Sequence, residues 1–307
     1  EERGKTLSNA ELDRLTVGCT GVKRTTGQHP GGLIVVPRGR SIYEFTPVQH
    51  PAEDPDSDIV TTHFDFHSIH DNLLKLDLLG HDVPTIIRKL QDLSGIGPQD
   101  IPLDDAETMK IFTDIAPLGI ETDDILEETG AAAIPEFGTK FVRGMLIETQ
   151  PKTFDGLVRI SGLSHGTNVW LNNGQDLIQS GTARLQDIIC CRDDITIYLM
   201  KQGVVPKNAF TISEAVRKGK GLKPEQEEEL RSHGVPDWYI GSCKKIAYLF
   251  PRAHAVAYTM MSYRIAWFKV HRPKEFYAVY FGNKLESFEI ETVARGDAAV
   301  CKRYREL

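Results

Sequence analysis

Strand-forming sequence is confined to the first 80 residues of this chain, and that segregation constrains the fold more than any other feature. Leu33-Ile34-Val35-Val36 follows Pro30-Gly31-Gly32 and stops at Pro37. Ile59 to Phe66 is rich in β-branched and aromatic residues, and Leu73 to Leu79 closes on Gly80. Each run is short and bounded by turn residues, the pattern of a small sheet. After Pro84 the periodicity becomes helical. Thr85 to Leu90 opens a helix that Gly95-Ile96-Gly97-Pro98 stops, and Asp104-Asp105-Ala106-Glu107 puts acids at the positive end of another. Residues 114–139 mix acids, glycines and prolines and predict a loop-rich connection. Residues 207–232 predict helix around a basic turn, and the clearest long helix is expected from about Ala253 to His271, before Pro273. The expected class is α/β in the broad sense, more narrowly α+β, with a small sheet followed by a larger helical body.

The 307 residues, 40% hydrophobic, suffice for one large domain or two modest ones. No apolar run approaches the roughly 18–20 residues of a membrane span, and no basic-then-apolar leader follows Glu1-Glu2-Arg3. The start without methionine and the stop at Tyr304-Arg305-Glu306-Leu307, within a charged helix-like stretch, lead us to expect a piece of a longer protein. Five cysteines without a CxxC pair argue against a disulfide framework or zinc ribbon; adjacent Cys190 and Cys191 suit a bridge poorly, and reduced thiols in a cytoplasmic protein are expected. Net charge is −7, but residues 201–307 hold 19 Lys+Arg against 12 Asp+Glu. This separation suits a polyanion held by one part, and equally a set of unevenly charged solvated helices.

Four groups of residues have chemical potential. In Leu74-Lys75-Leu76-Asp77-Leu78-Leu79-Gly80, strand alternation sends Lys75 and Asp77 to one face and their apolar neighbours to the other. A rigid strand carboxylate suits a metal that bridges phosphates, with lysine balancing phosphate charge; a solvent-facing pair on an edge strand explains the pattern as well. Asp65, expected on the preceding strand, is a weaker metal candidate, since His63, Asp65 and His67 also suit a hydrogen-bonded network. In Val216-Arg217-Lys218-Gly219-Lys220-Gly221, Arg217, Lys218 and Lys220 with two glycines can wrap a triphosphate, though most short basic runs are solvated. In Phe250-Pro251-Arg252-Ala253-His254-Ala255-Val256-Ala257-Tyr258, His254 and Tyr258 share a helix face that Ser262 continues. A histidine and tyrosine near a helix N-terminus suit phosphate contact and base stacking, and also suit a packed core.

Taken in order, Thr25-Thr26-Gly27-Gln28-His29-Pro30-Gly31-Gly32, Leu74 to Gly80, Ile134-Pro135-Glu136-Phe137-Gly138-Thr139 and Ile160-Ser161-Gly162-Leu163-Ser164-His165-Gly166-Thr167 resemble the alpha subunit of bacterial DNA polymerase III. Arg192-Asp193-Asp194 and the Arg217-to-Gly221 turn narrow the resemblance to the PolC type. The resemblance implies a palm of the polymerase-β-like nucleotidyltransferase type and large helical fingers. It divides the chain into the C-terminal part of the palm (1–84), the fingers (85–285) and the start of the following region (286–307). It implies attack of a primer 3′-hydroxyl on the α-phosphate of a dNTP, assisted by two Mg²⁺ ions. Asp77 resembles the third palm metal ligand and catalytic aspartate, and Lys75 the catalytic lysine beside it; the other two aspartates belong to an upstream Asp-x-Asp pair. Arg217, Lys218 and Lys220 are implied in triphosphate or template contacts, and His254 and Tyr258 in the nascent base-pair pocket. The implied partners are primer-template DNA and dNTP, with sliding clamp and replisome subunits reached through other regions and no membrane. The implied location is the bacterial cytoplasm, and the chain is expected to be inactive alone. Glu128 to Ala133 departs from the family by being bland. Two other readings stay open on residues alone: a noncatalytic nucleic-acid-binding module using the basic C-terminal half, and a Mg²⁺ phosphohydrolase using Asp65 and Asp77.

Overall fold

The computed structural model describes residues 7–22, 26–78, 80–120, 127–284 and 289–306. Thr25 and Leu79 of the quoted segments, residues 121–126 of the expected loop, residues 286–288 and the chain ends at 1–6 and 307 lie outside the described residues. The chain forms two compact units, residues 1–81 and residues 82–307.

The first unit opens with helix α1 (Asn9–Cys19), whose N-terminus is capped by Ser8 Oγ accepting the Glu11 N–H at 3.2 Å. Four short strands follow: β1 (Gly32–Val35), β2 (Val48–Gln49), β3 (Thr61–Thr62) and β4 (Leu74–Asp77). They make two antiparallel pairs, β1 with β4 and β2 with β3. In the first pair Gly32 lies opposite Asp77, Leu33 opposite Leu76, Ile34 opposite Lys75 and Val35 opposite Leu74. Alternation therefore puts Ile34, Lys75 and Asp77 on one face and Leu33, Val35, Leu74 and Leu76 on the other.

The expected strand from Ile59 to Phe66 is reduced to Thr61 and Thr62, paired with a β2 that composition did not announce. Asp65 leaves the strand because its carboxylate accepts the His67 N–H at 2.9 Å and starts a single 3₁₀ turn over Phe66–Ser68. Short acidic side chains compete with ladder bonding in this way, and here the local turn overrides a β-branched run. His63 instead turns its Nδ1 to Gln49 Oε1 at 2.6 Å, so the expected His63–Asp65–His67 face does not form.

The second unit is helical among its described residues. In chain order its helices are α2 (Asp82–Ser94), α3 (Ala106–Lys110), α4 (Lys140–Thr149), α5 (Phe154–His165), α6 (Gln175–Gln179), α7 (Arg192–Lys201) and α8 (Pro206–Arg217). They continue as α9 (Pro224–Ser232), α10 (Asp237–Lys245), α11 (Arg252–His271), α12 (Pro273–Asn283), α13 (Ile290–Ala294) and α14 (Asp297–Glu306). The sequence explains their limits. Proline opens α8, α9 and α12, where a missing N–H costs nothing. Asp105, Thr139 and Thr153 cap α3, α4 and α5 by accepting backbone N–H groups of the first turn.

Two apolar clusters meet on α11, which is why its buried residues lie on more than one side instead of along one stripe. Leu157, Ile160 and Leu163 of α5 pack in the main cluster with Phe112, Phe137 and with Ala255, Tyr263 and Ala266 of α11. Ile265 and Phe268, on another side of α11, join Val83 and Leu90 of α2 and Phe276 and Val279 of α12. Each Leu, Ile, Val or Phe among them contributes about 1.5–3 kcal/mol by burial, so α11 is a fixed axle for the unit. Tyr263 adds a polar tie, its hydroxyl donating to Asp105 O at 2.8 Å.

The bland stretch Glu128 to Ala133 is also secured by α11. Buried Lys269 donates from Nζ to Gly130 O at 2.8 Å and to Ala132 O at 2.7 Å. Burial, and then the nearby Arg143, pull its ammonium down to about 8 against the opposing pull of Glu127. Main-chain carbonyls carry this contact, so side-chain pattern gave no sign of it.

Candidate functional site

Lys75 and Asp77 stand side by side on β4, Nζ to Oδ1 at 3.4 Å. The lysine is the more covered of the two, its ammonium lying 5.1 Å from the centre of the Phe66 ring. Asp77 is half exposed, and an ion pair of this kind contributes about 0–1 kcal/mol, too little to tie the carboxylate up. Asp65 is not on a strand beside it: the hydrogen-bonded neighbour of β4 is β1, and Asp65 caps a turn beyond β3. No group of three His, Cys, Asp or Glu positioned to hold a metal occurs among the described residues. A hard divalent ion takes about six oxygen ligands, some of them water. The donor set here, one carboxylate beside an ammonium, therefore does not fit a metal centre by itself.

The basic turn closes α8. Gly219 adopts φ +67°, and a Cβ there would lie 2.5 Å from Ala247 O, so glycine is required both by conformation and by the backbone pressed against it. The Leu249 N–H donates to Arg217 O at 3.3 Å, which fastens the turn to the segment leading into α11. Glu214 gathers the cations: Arg217 binds its two oxygens at 3.0 Å each, Lys218 lies at 3.6 Å and Arg192 at 3.5 Å. Lys220 has no ion-pair partner among the described residues. Arg217 and Lys218 are thus held at the turn by one carboxylate, and Lys220 is exposed.

The N-terminus of α11 is built on acids from elsewhere. Asp193 Oδ2 accepts the Arg252 N–H at 2.9 Å, supplying from α7 the cap that Pro251 lacks. The Arg252 guanidinium forks between Asp194, at 2.9 Å, and Asp155. Asp194 also accepts the N–H groups of Cys190 and Cys191 at 3.1 and 2.9 Å. Both of these thiols are buried, and burial pushes that of Cys191 up to about 12, so neither is poised as a nucleophile. One turn into the helix, the rings of His254 and Tyr258 stack at 4.1 Å and 29°. The predicted row ends on Ser262, which is buried in the helix packing with its hydroxyl unpartnered.

The stack continues through residues to which sequence reasoning gave no role. Phe250 meets His254 edge-on at 4.7 Å and His165 at 5.1 Å. His165 Nε2 lies 2.7 Å from a Glu136 carboxylate oxygen, joining the two quoted segments Ile134–Thr139 and Ile160–Thr167 in one site. Hydrogen bonding to Glu136 raises the histidine above its ordinary value, against the effect of burial. The signal for these residues was present only as motif membership; nothing local in either segment shows that they meet. Arg217, Lys218, Lys220, His254 and Tyr258 all belong to the second unit, around the segment 246–252, whereas Lys75 and Asp77 belong to the first.

Two family matches fall one in each unit. The family described as bacterial DNA polymerase III alpha NTPase domain matches residues 2–80, and that described as bacterial DNA polymerase III alpha subunit finger domain matches residues 83–236. The chain is 62% identical over 299 residues to the DNA polymerase III PolC-type of Oceanobacillus iheyensis, covering 97% of this chain and 21% of that protein. It is 56% identical over 307 residues to the PolC-type enzyme of Caldanaerobacter subterraneus subsp. tengcongensis, covering all of this chain and 22% of that protein. Against the Bacillus subtilis PolC-type enzyme it is 60% identical over 294 residues, or 96% and 20% of the two chains. The chain spans about a fifth of the length of the curated relatives it matches. It belongs to the bacterial DNA polymerase III alpha subunit family, of the PolC type.

Proposed function

We propose that this chain is the part of a replicative DNA-directed DNA polymerase that supplies one palm carboxylate and the nucleotide-gripping fingers. The observation that carries the reading is the grouping, in one unit, of a glycine-shaped cationic turn with a ring stack at a helix N-terminus. A triphosphate needs several cationic donors on its oxygens, and a base needs an aromatic face; the turn and the stack offer one of each. Arg217, Lys218 and Lys220 contact the dNTP triphosphate or the template, and His254 and Tyr258 border the nascent base pair. Glu214 keeps two of the cations oriented before the nucleotide arrives, which lowers the entropy lost on binding.

Lys75 and Asp77 serve the chemical step, attack of the primer 3′-hydroxyl on the dNTP α-phosphate. The resemblance implies two Mg²⁺ ions in the whole enzyme. Asp77 is the one carboxylate of that set in this sequence, and the resemblance puts the Asp-x-Asp pair upstream of it. Residues 1–84 are the palm end, 85–285 the fingers and 286–307 the start of the next region. Primer-template DNA and dNTP are the substrates, the clamp and other replisome subunits bind elsewhere, and the enzyme works in the bacterial cytoplasm. No helix among the described residues is long and apolar enough to cross a membrane.

The test is single-nucleotide incorporation by the full-length protein carrying this sequence, with Lys220→Ala and Tyr258→Ala. Both variants should raise KM for dNTP by about tenfold or more, the scale of one lost ionic or stacking contact. Unchanged dNTP kinetics in both would remove the turn and the stack from the nucleotide site.

A further inference from the structure

We propose that His165 is a positioning residue for the nucleotide pocket: held as an imidazolium between Glu136 and the Ser161 carbonyl, it fixes Phe250 and thereby the His254–Tyr258 stack. The inference rests on the reading of that stack as part of the nucleotide pocket.

The protonation state follows from the partners. His165 Nδ1 lies 2.7 Å from Ser161 O and 3.2 Å from Ser164 Oγ, and Nε2 lies 2.7 Å from a Glu136 carboxylate oxygen. A carbonyl oxygen and an ionised carboxylate only accept, so with Glu136 charged these two bonds put hydrogen on both ring nitrogens and make the ring a cation. Its position supports the charge. His165 is the last residue of α5, where helix carbonyls favour a cation. Glu136 is largely buried and is the charged group bonded to the ring. Among the described residues the other groups recorded around His165 are Ser161 and Ser164 from α5 and Phe250 from the segment before α11, with a second titratable ring, His254 of α11, beyond Phe250.

Glu136 shows how firmly the pair is built. Its backbone sits at φ +67°, a left-handed conformation that a side chain such as glutamate rarely takes. Such a conformation persists where the surroundings over-determine it, and it tends to mark functional sites.

Phe250 transmits the placement. Its carbonyl accepts the Arg192 N–H at 3.1 Å, and the following Pro251 restricts its backbone to extended conformations. With the backbone anchored, the ring is placed by its neighbours: His165 at 5.1 Å, Tyr248 edge-on at 5.8 Å and His254 at 4.7 Å. A cationic imidazole 5.1 Å from the phenyl centre is within the range of cation–π attraction. Loss of the proton removes one of the two hydrogen bonds and the attraction together, freeing the imidazole and then Phe250. Neither His165 nor Glu136 need touch the nucleotide for this to act.

The experiment is steady-state dNTP incorporation by the full-length protein across roughly pH 6–9, comparing wild type, His165→Gln and Glu136→Gln. His165→Gln should raise KM for dNTP about tenfold while kcat stays within about twofold. Wild-type kcat/KM should fall with rising pH as His165 deprotonates above the ordinary histidine range. That inflection should vanish in His165→Gln and move to lower pH in Glu136→Gln, a shift that a merely structural role would not produce. Glu136→Gln keeps the shape of the side chain, so it decides the matter even if His165→Gln folds poorly. An unmoved inflection in Glu136→Gln, or His165→Gln with wild-type KM and pH profile, would overturn the proposal. Absence of dNTP incorporation by the wild-type protein would instead overturn the polymerase reading on which it rests.

Discussion

Asp193 Oδ2 accepts the backbone N–H of Arg252 at 2.9 Å, so the first turn of α11, the longest helix among the described residues, is capped by a residue 59 positions away. This bond fixes the end of α11 that presents His254 and Tyr258. Helix N-termini leave up to four N–H groups without intrahelical partners, and an aspartate there gains from the helix dipole as well.

Loss of that cap should be measurable. Asp193→Ala is expected to lower stability by about 1 kcal/mol, the usual scale for an N-cap, read as a reduced denaturant midpoint. Arg252→Met should be worse, by about 2 kcal/mol, because it leaves the Asp194 carboxylate covered without its guanidinium. Equal midpoints for wild type and Arg252→Met would show that the fork to Asp194 and Asp155 is idle.

At Gly219 geometry sets a sharper expectation. Alanine would combine a left-handed backbone with a Cβ 2.5 Å from Ala247 O, a penalty of about 1–3 kcal/mol before the clash is counted. Gly219→Ala should therefore displace the basic turn and raise KM for dNTP. Gly221, also at positive φ but with open space around it, should accept alanine with the strain alone. Similar losses in the two variants would contradict the close approach at residue 219.

How much of this was legible in the sequence depended on range. The acidic start at Asp104 to Glu107 and the stop at Gly95 are local signals, and α3 and α2 follow them. The strand at Lys75–Asp77 was readable because alternation survives in four residues. Ile59 to Phe66 misled because composition favours strand while Asp65 bonds its own backbone two residues on. The partnership of Glu136 with His165 and the cap from Asp193 were illegible, since each joins segments 29 or 59 residues apart and neither side has a local pattern. Charge was similarly ambiguous: Arg217 and Lys218 are a basic run in sequence but share Glu214 in space.

Buried Lys269 gives a stability profile with a defined sign. Its folded value of about 8 lies below the ordinary 10.5. Between these values the unfolded chain holds the extra proton, so stability rises with pH across that window. Lys269→Met lacks this dependence. The stability of wild type relative to Lys269→Met should therefore grow by up to about 3 kcal/mol from pH 8 to pH 10.5, tracked by chemical denaturation at each pH. A difference independent of pH would mean that the ammonium is not held out of water between Gly130 and Ala132.

The most direct test of the central claim is primer extension by the full-length protein carrying this sequence, wild type against Asp77→Asn, at saturating dNTP and Mg²⁺. The amide keeps the shape of the side chain on the strand but lacks the charge that a metal requires. The expected result is a fall in kcat of several orders of magnitude with primer-template binding intact. Extension at a near-normal rate by Asp77→Asn would contradict the placing of that carboxylate in the chemical step, and with it the polymerase site drawn here.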